Sequence, residues 1–205
     1  MTRSERLAPA SCRATLRPVR AADATAMQAF VTGLGAGDRR LRFHGAVNAC
    51  APGLLRHLTE VDGVRHVAFV ACAEGEGEAD EGVRIVGEAR YVVTGAAGAS
   101  AELAIAVADD HRGRGIADEL LRALLGAAVE AGIGRLHGDV LAGNVRMAAF
   151  MRRHGFEIDP FADAEPGLAR WQRGLSGHNG RKATRPSLAV FGAWLGRVAA
   201  HHLVV

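Results

Sequence analysis

One stretch, AELAIAVADDHRGRGIADELLRALLGAAVEAG at residues 101–132, limits what this chain can fold into more than any other. It begins as an apolar run over residues 102–108, passes Asp109 and Asp110, and enters Arg112-Gly113-Arg114-Gly115-Ile116-Ala117. Leu120, Leu121, Leu124, Leu125, Ala128 and Val129 then recur at helical spacing. The pattern predicts a strand feeding a glycine-rich turn at a helix N-terminus, which is a ready anion site. Glycine lets backbone approach phosphate, free N–H groups point outward, and the helix dipole favours negative charge. Spacing then narrows the class. GxxxxGK[ST] is absent, which excludes the nucleotide-triphosphatase loop, and GxGxxG fails because Asp118 stands where the third glycine belongs. What remains is Arg112-x-x-Gly115-x-Ala117.

Charge excludes other functions. Of the net +3, residues 174–205 supply +4 through Arg181, Lys182, Arg185 and Arg197, so residues 1–173 sum to −1. The basic balance belongs to a tail, and no nucleic-acid-binding body is expected. Cys12, Cys50 and Cys72 lack metal-ligand spacing and are odd in number, which points to reduced thiols and a cytoplasmic location. The nine histidines form no HxxxH, HExxH or Cys-His cluster, so no metal is expected. The first residues lack an apolar signal-peptide core, and no uncharged apolar run is long enough to span a membrane.

The organisation reads as a basic leader (1–13), one domain (14–175), a basic linker (176–186) and an amphipathic C-terminal helix (187–205). Within the domain, a short edge strand at 14–19 precedes a helix capped by Asp23. A second helix (38–46) carries Arg39, Arg40 and Arg42 beside Phe43, and a third runs from Pro52 to Val61. Strands follow at 65–71 and 83–94, joined by an acidic loop (73–82), and then the central strand and helix. A strand at 135–141, a helix at 144–154 ended by Gly155, and strands at 156–160 and 168–175 complete the chain. This is an α+β domain with a mixed central sheet of six to seven strands flanked by helices.

The Arg112-x-x-Gly115-x-Ala117 loop resembles the [QR]xxGx[GA] pyrophosphate loop of the GNAT superfamily of N-acetyltransferases. The phrases RPVRAADA, RRLRFHGAV, LTEVDG, VGEARYVV, AELAIAVADDHRGRGIA and NVRM…HGF also sit in the order seen in bacterial Pat-type protein-lysine acetyltransferase domains, over residues 14–175. The resemblance implies the GNAT fold and acetyl-CoA as acyl donor. It implies that the pantetheine arm lies along the backbone of Ala106, Val107 and Ala108, where the fourth strand splays from the fifth. The pyrophosphate would be held by backbone N–H groups of Arg112, Gly113, Arg114, Gly115, Ile116 and Ala117, with Asn144 and Met147 also at the cofactor. Asn144 either touches the pantetheine or caps its helix.

Attack on a thioester needs a neutral amine, and a carboxylate can take its proton. Glu102 matches the general-base position of several protein acetyltransferases and shares a strand face with Ala104, Ala106 and Ala108. Glu88, the other carboxylate in an apolar strand, could assist, bind the incoming cation or pair with a neighbour. Asp109, Asp110 and His111 read as turn residues. One departure stands out: the tyrosine that many such enzymes place seven residues after the asparagine is Met151 here, and Tyr91 is the only tyrosine. The acceptor is expected to be a protein lysine, with a small amine as the alternative and a noncatalytic acyl-CoA sensor as a rival of another class. The C-terminal helix packs on the domain, joins a second subunit or touches a membrane surface.

Overall fold

The computed structural model describes residues 14–43, 50–73, 83–94 and 99–175. The leader, the acidic loop from residue 74 onward, the linker and the C-terminal helix read from the sequence lie outside the described residues. The elements run β1 (Ala14–Pro18), α1 (Ala24–Gly33), α2 (Ala36–Phe43), α3 (Pro52–Thr59), β2 (His66–Ala73) and β3 (Arg84–Thr94). They continue with β4 (Ser100–Val107), α4 (Ile116–Glu130), β5 (Arg135–Leu141), α5 (Val145–Arg153), β6 (Glu157–Ile158) and β7 (Leu168–Gly174). One sheet takes all seven strands in the order β1-β2-β3-β4-β5-β7-β6, antiparallel everywhere except between β4 and β5. No helix among the described residues is long and apolar enough to cross a membrane.

Apolar burial on both sheet faces holds this arrangement together. On one face, Leu120, Leu121, Leu124 and Ala128 of α4 pack on Val86, Tyr91 and Val93 of β3, with Met151, Phe156 and Trp171 extending the cluster. Of the six helically spaced apolar residues of the sequence, Leu120, Leu121, Leu124 and Ala128 are fully buried, Leu125 is partly buried, and Val129 is exposed. On the other face, Met27, Phe30 and Val31 of α1 join Leu54 and Leu58 of α3 over Val70 and Ile85. Strand β3 lies in the middle, and residues 85–93 are all buried. That run includes Glu88 and Arg90, whose burial demands partners.

They have them. Arg90 Nε donates to Glu88, and its Nη atoms donate to the backbone carbonyls of His57 (3.1 Å) and Leu58 (2.9 Å) in the last turn of α3. Glu88 also receives Arg42 Nη2 of α2 at 3.0 Å. Of the three roles open to Glu88 in the sequence, the structure shows pairing. Asp23 differs from expectation too: its carboxylate accepts from Arg17 at 2.8 and 2.7 Å and from the Arg20 backbone N–H at 2.8 Å, with no side-chain cap on α1. A partly buried arginine outcompetes the helix N-terminus because charge-assisted bidentate pairing is the stronger interaction.

Candidate active site

Strands β4 and β5 pair over three positions only: Ser100 with Arg135, Ala101 with Leu136, and Glu102 with His137. Beyond Glu102 they part, while β5 stays paired to β7 along its full length. Gly138 sits at the fork, where a Cβ would come within 3.1 Å of the Leu103 carbonyl oxygen. A cavity of about 750 Å³ opens in the wedge. Residues 102–107 of β4 and 138–140 of β5 form its walls, and α2, the α4 N-terminus and α5 close around them.

Of the residues singled out in the sequence, Glu102, Ala106, Val107, Arg112, Gly113, Gly115, Ile116, Ala117, Asn144 and Met147 line this one cavity. Ala108 and Arg114 stand just outside the lining. The Ala108 N–H donates to Val86 O at 2.9 Å, and Arg114 turns back to the Asp110 carbonyl at 2.9 Å.

The glycine turn has the geometry its sequence called for. Gly113 and Gly115 take φ of 72° and 80°, and nothing lies within 4 Å of where a Cβ would stand on either. Gly115 is the N-cap of α4 and has no side chain to satisfy the first-turn N–H groups. Those donors are left for a ligand at the positive end of a 15-residue helix. The Arg112 guanidinium is committed elsewhere: it pairs with Asp38 of α2 at 2.7 Å and with Asp109. Asp38 also receives Arg146 of α5 at 3.2 Å, so one carboxylate ties three sides of the mouth. Burial pushes the Asp38 carboxyl up, but Arg112 outweighs it and holds the group below the usual range.

Glu102 occupies the last paired rung of the fork. Burial raises its carboxyl above the ordinary range, and nearby Asp139 adds to the rise; Arg170 and Arg42 act in the opposite sense. Arg170 of β7 is itself clamped on Asp139 of β5 by two bonds of 2.8 and 2.7 Å. The Glu102 carboxylate accepts no hydrogen bond and makes no ion pair among the described residues.

Asn144 caps α5, its Oδ1 accepting the Met147 N–H at 3.0 Å, while also lining the cavity. Met151 is buried in the cavity wall where a tyrosine was sought. Tyr91 lies in the α4-side core, its OH donating to Val64 O at 3.3 Å and pushed up to about 12 by burial. His111 is 4% exposed, so reading it as a surface turn residue fails; its Nδ1 lies 2.9 Å from Asp110 Oδ1. Sequence reasoning missed Asp38, Arg42 and Asp139 as cavity residues. The available signal was an acid alternating with Arg135 and His137 on one face of the β5 strand for Asp139, and the Arg-Phe ending of α2 for Arg42.

A forked β4–β5 pair, an uncapped glycine turn at a helix N-terminus and a carboxylate at the fork meet in one cavity, and the chain is an acyltransferase by the family it matches. The profile described as the Acetyltransferase (GNAT) family matches residues 43–156, and the chain belongs to that family. Acetyltransferase PA5475 of Pseudomonas aeruginosa is 31% identical over 141 residues, covering 69% of this chain and 73% of that protein. Acetyltransferase Pat of Mycolicibacterium smegmatis is 35% identical over 102 residues, half of this chain but only 29% of that longer protein. Among solved structures, the GNAT domain of S. lividans PAT superposes with a TM-score of 0.70 at 26% identity, covering 79% of this chain and 90% of that one.

Proposed function

We propose that this acetyltransferase transfers the acetyl group of acetyl-CoA to a protein lysine, with Glu102 as general base. The observation that carries the reading is the place of Glu102: at the fork, in the cavity wall, unpaired among the described residues and with its carboxyl raised by burial. The site fits the donor. Open space over Gly113 and Gly115 admits a pyrophosphate against the N–H groups of residues 112–117, and the free edge of β4 through Ala106 and Val107 offers backbone partners to an amide-bearing arm. Acetyl-CoA supplies a thioester, whose carbonyl carbon is the electrophile.

A lysine ammonium with pKa about 10.4 costs roughly 4–5 kcal/mol to deprotonate at pH 7. Glu102 accepts that proton, directly or through one water. The neutral nitrogen then forms the N–C bond as the C–S bond breaks, and the second ammonium proton leaves to solvent. A raised carboxyl pKa makes Glu102 a stronger base than a surface glutamate. Met151 cannot donate a proton and Tyr91 lies in the core, so the thiolate leaves without a tyrosine acid. Lysine as acceptor rests on the Pat-type order of the sequence and on the Pat relatives. Buried free thiols at Cys50 and Cys72 support action in the cytoplasm.

Purified protein, labelled acetyl-CoA and a cytosolic extract test the proposal. Label in protein lysines supports it. Label confined to small amines replaces the acceptor, and acetyl-CoA binding without transfer replaces the enzyme with a sensor.

A further inference from the structure

Arg42 stands in the cavity wall with almost all of its side chain buried, 8% exposed, yet it spends one of five N–H donors on the protein. Nη2 donates to Glu88 at 3.0 Å; among the described residues, buried Nε has no partner and Nη1 makes no hydrogen bond. The charges beneath it do not balance. Arg42 and Arg90 share the single carboxylate of Glu88, and the adjacent His57 and His66 are neutral at physiological pH because burial holds them to about 4 and about 3. One surplus positive charge is therefore fixed in the wall, and Glu88 is the positioning residue that keeps its guanidinium there.

The other acids of the cavity are occupied: Asp38 is held by Arg112 and Arg146, Asp139 by Arg170, and Asp118 by Arg153 and His154. Among the described residues Glu102 alone can answer Arg42, and it stops doing so once it takes a proton. A purely cationic acceptor would meet a guanidinium beside its base. An acceptor carrying its own carboxylate would satisfy both groups, the amine at Glu102 and the carboxylate on the unused donors of Arg42.

We propose that the acceptor bears a carboxylate close to its reacting amine and that Arg42 recognises it; this rests on the acetyltransferase reading of the Glu102 site. The chemistry has two sources, an acidic residue flanking a peptide lysine and the α-carboxylate of a free amino acid. The test measures kcat/KM for acetyl transfer to matched pairs: short peptides with lysine flanked by aspartate or by asparagine, and the common amino acids against their carboxamides. Wild-type protein should favour the carboxylate member of one set by about ten- to a hundredfold, as a charge-assisted bond warrants; the set that responds identifies the source. Arg42→Met should collapse that ratio towards one, and Arg42→Lys, which keeps the charge without the fork, should retain part of it. Unaltered circular dichroism and acetyl-CoA affinity establish that the variants are folded. Equal rates on both members of each pair in wild type, or an undiminished ratio in Arg42→Met, overturn the inference and leave the acetyltransferase reading intact. No transfer to any member, with acetyl-CoA bound, overturns both.

Discussion

Replacing Glu102 with glutamine removes the proposed proton acceptor and little else. The side chains are isosteric. Arg170, the cation acting on Glu102 from β7, keeps its two bonds to Asp139, and Arg42 keeps Glu88. At pH 7 a lysine of pKa about 10.4 is neutral in roughly 1 molecule in 2,500, which bounds what supplying the free amine can contribute. General bases contribute about 10²–10⁴-fold, so Glu102→Gln should lose about 10²–10³-fold in kcat at pH 7. The loss should shrink about tenfold per pH unit as the amine deprotonates itself, nearly vanishing by about pH 10. The acid limb of the wild-type profile should fall above the ordinary carboxylate range, because burial and Asp139 raise Glu102. Thiol release with a lysine peptide, followed from pH 6 to 10 beside calorimetric acetyl-CoA binding, measures all of this. Wild-type kcat at pH 7, or a loss independent of pH, refutes the reasoning and leaves a water chain as base, since Glu88 is locked between two arginines.

Gly115→Glu should abolish measurable acetyl-CoA binding by calorimetry, since a carboxylate enters the anion site. The left-handed φ of 80° adds about 1–2 kcal/mol of strain, a fall of roughly 2–8 °C in Tm with the circular dichroism spectrum retained. Asn144→Ala should cost about 0.5–2 kcal/mol through the lost cap on Met147, read as a lower Tm; a large rise in acetyl-CoA Kd as well would show direct cofactor contact. Thermal stability should be full above about pH 6.5 and decline as pH falls towards 4. His57 and His66 are depressed in the fold to about 4 and about 3, so the unfolded chain binds their protons first; a flat Tm between pH 7 and 5 contradicts their burial as neutral rings.

What could be read in advance followed the range over which each signal acts. Strand β5 spans residues 135–141, as its pattern required, and the glycine turn at 113–115 carries its conformation in the residue type itself. Glu102 was legible because a charge interrupts an apolar run. The fork was not derivable from strand patterns, since parting at Glu102 depends on which neighbour each strand takes; it entered only through family resemblance. Arg42 escaped notice as a site residue because its partner is 46 positions away, and among neighbouring arginines on α2 only packing decides which turns inward. His111 misled for a related reason: turn sequences imply exposure, and Asp109 and Asp110 are exposed, but the His111 side chain turns inward to the cavity wall.

The fork has a consequence for solvent exchange. A strand in mid-sheet ordinarily has both edges sealed, and its amides exchange with solvent only when the domain opens. From Leu103 to Val107, β4 has one sealed edge and one bare edge, deep in the molecule rather than at its rim. Bare edges at a rim invite other chains to pair; this one is recessed, with helices around its mouth, and a slender amide-bearing ligand can reach it. Weakly protected amides of β4 therefore lie beside the buried helix α4, and a ligand seated there would protect them from exchange as a missing strand would.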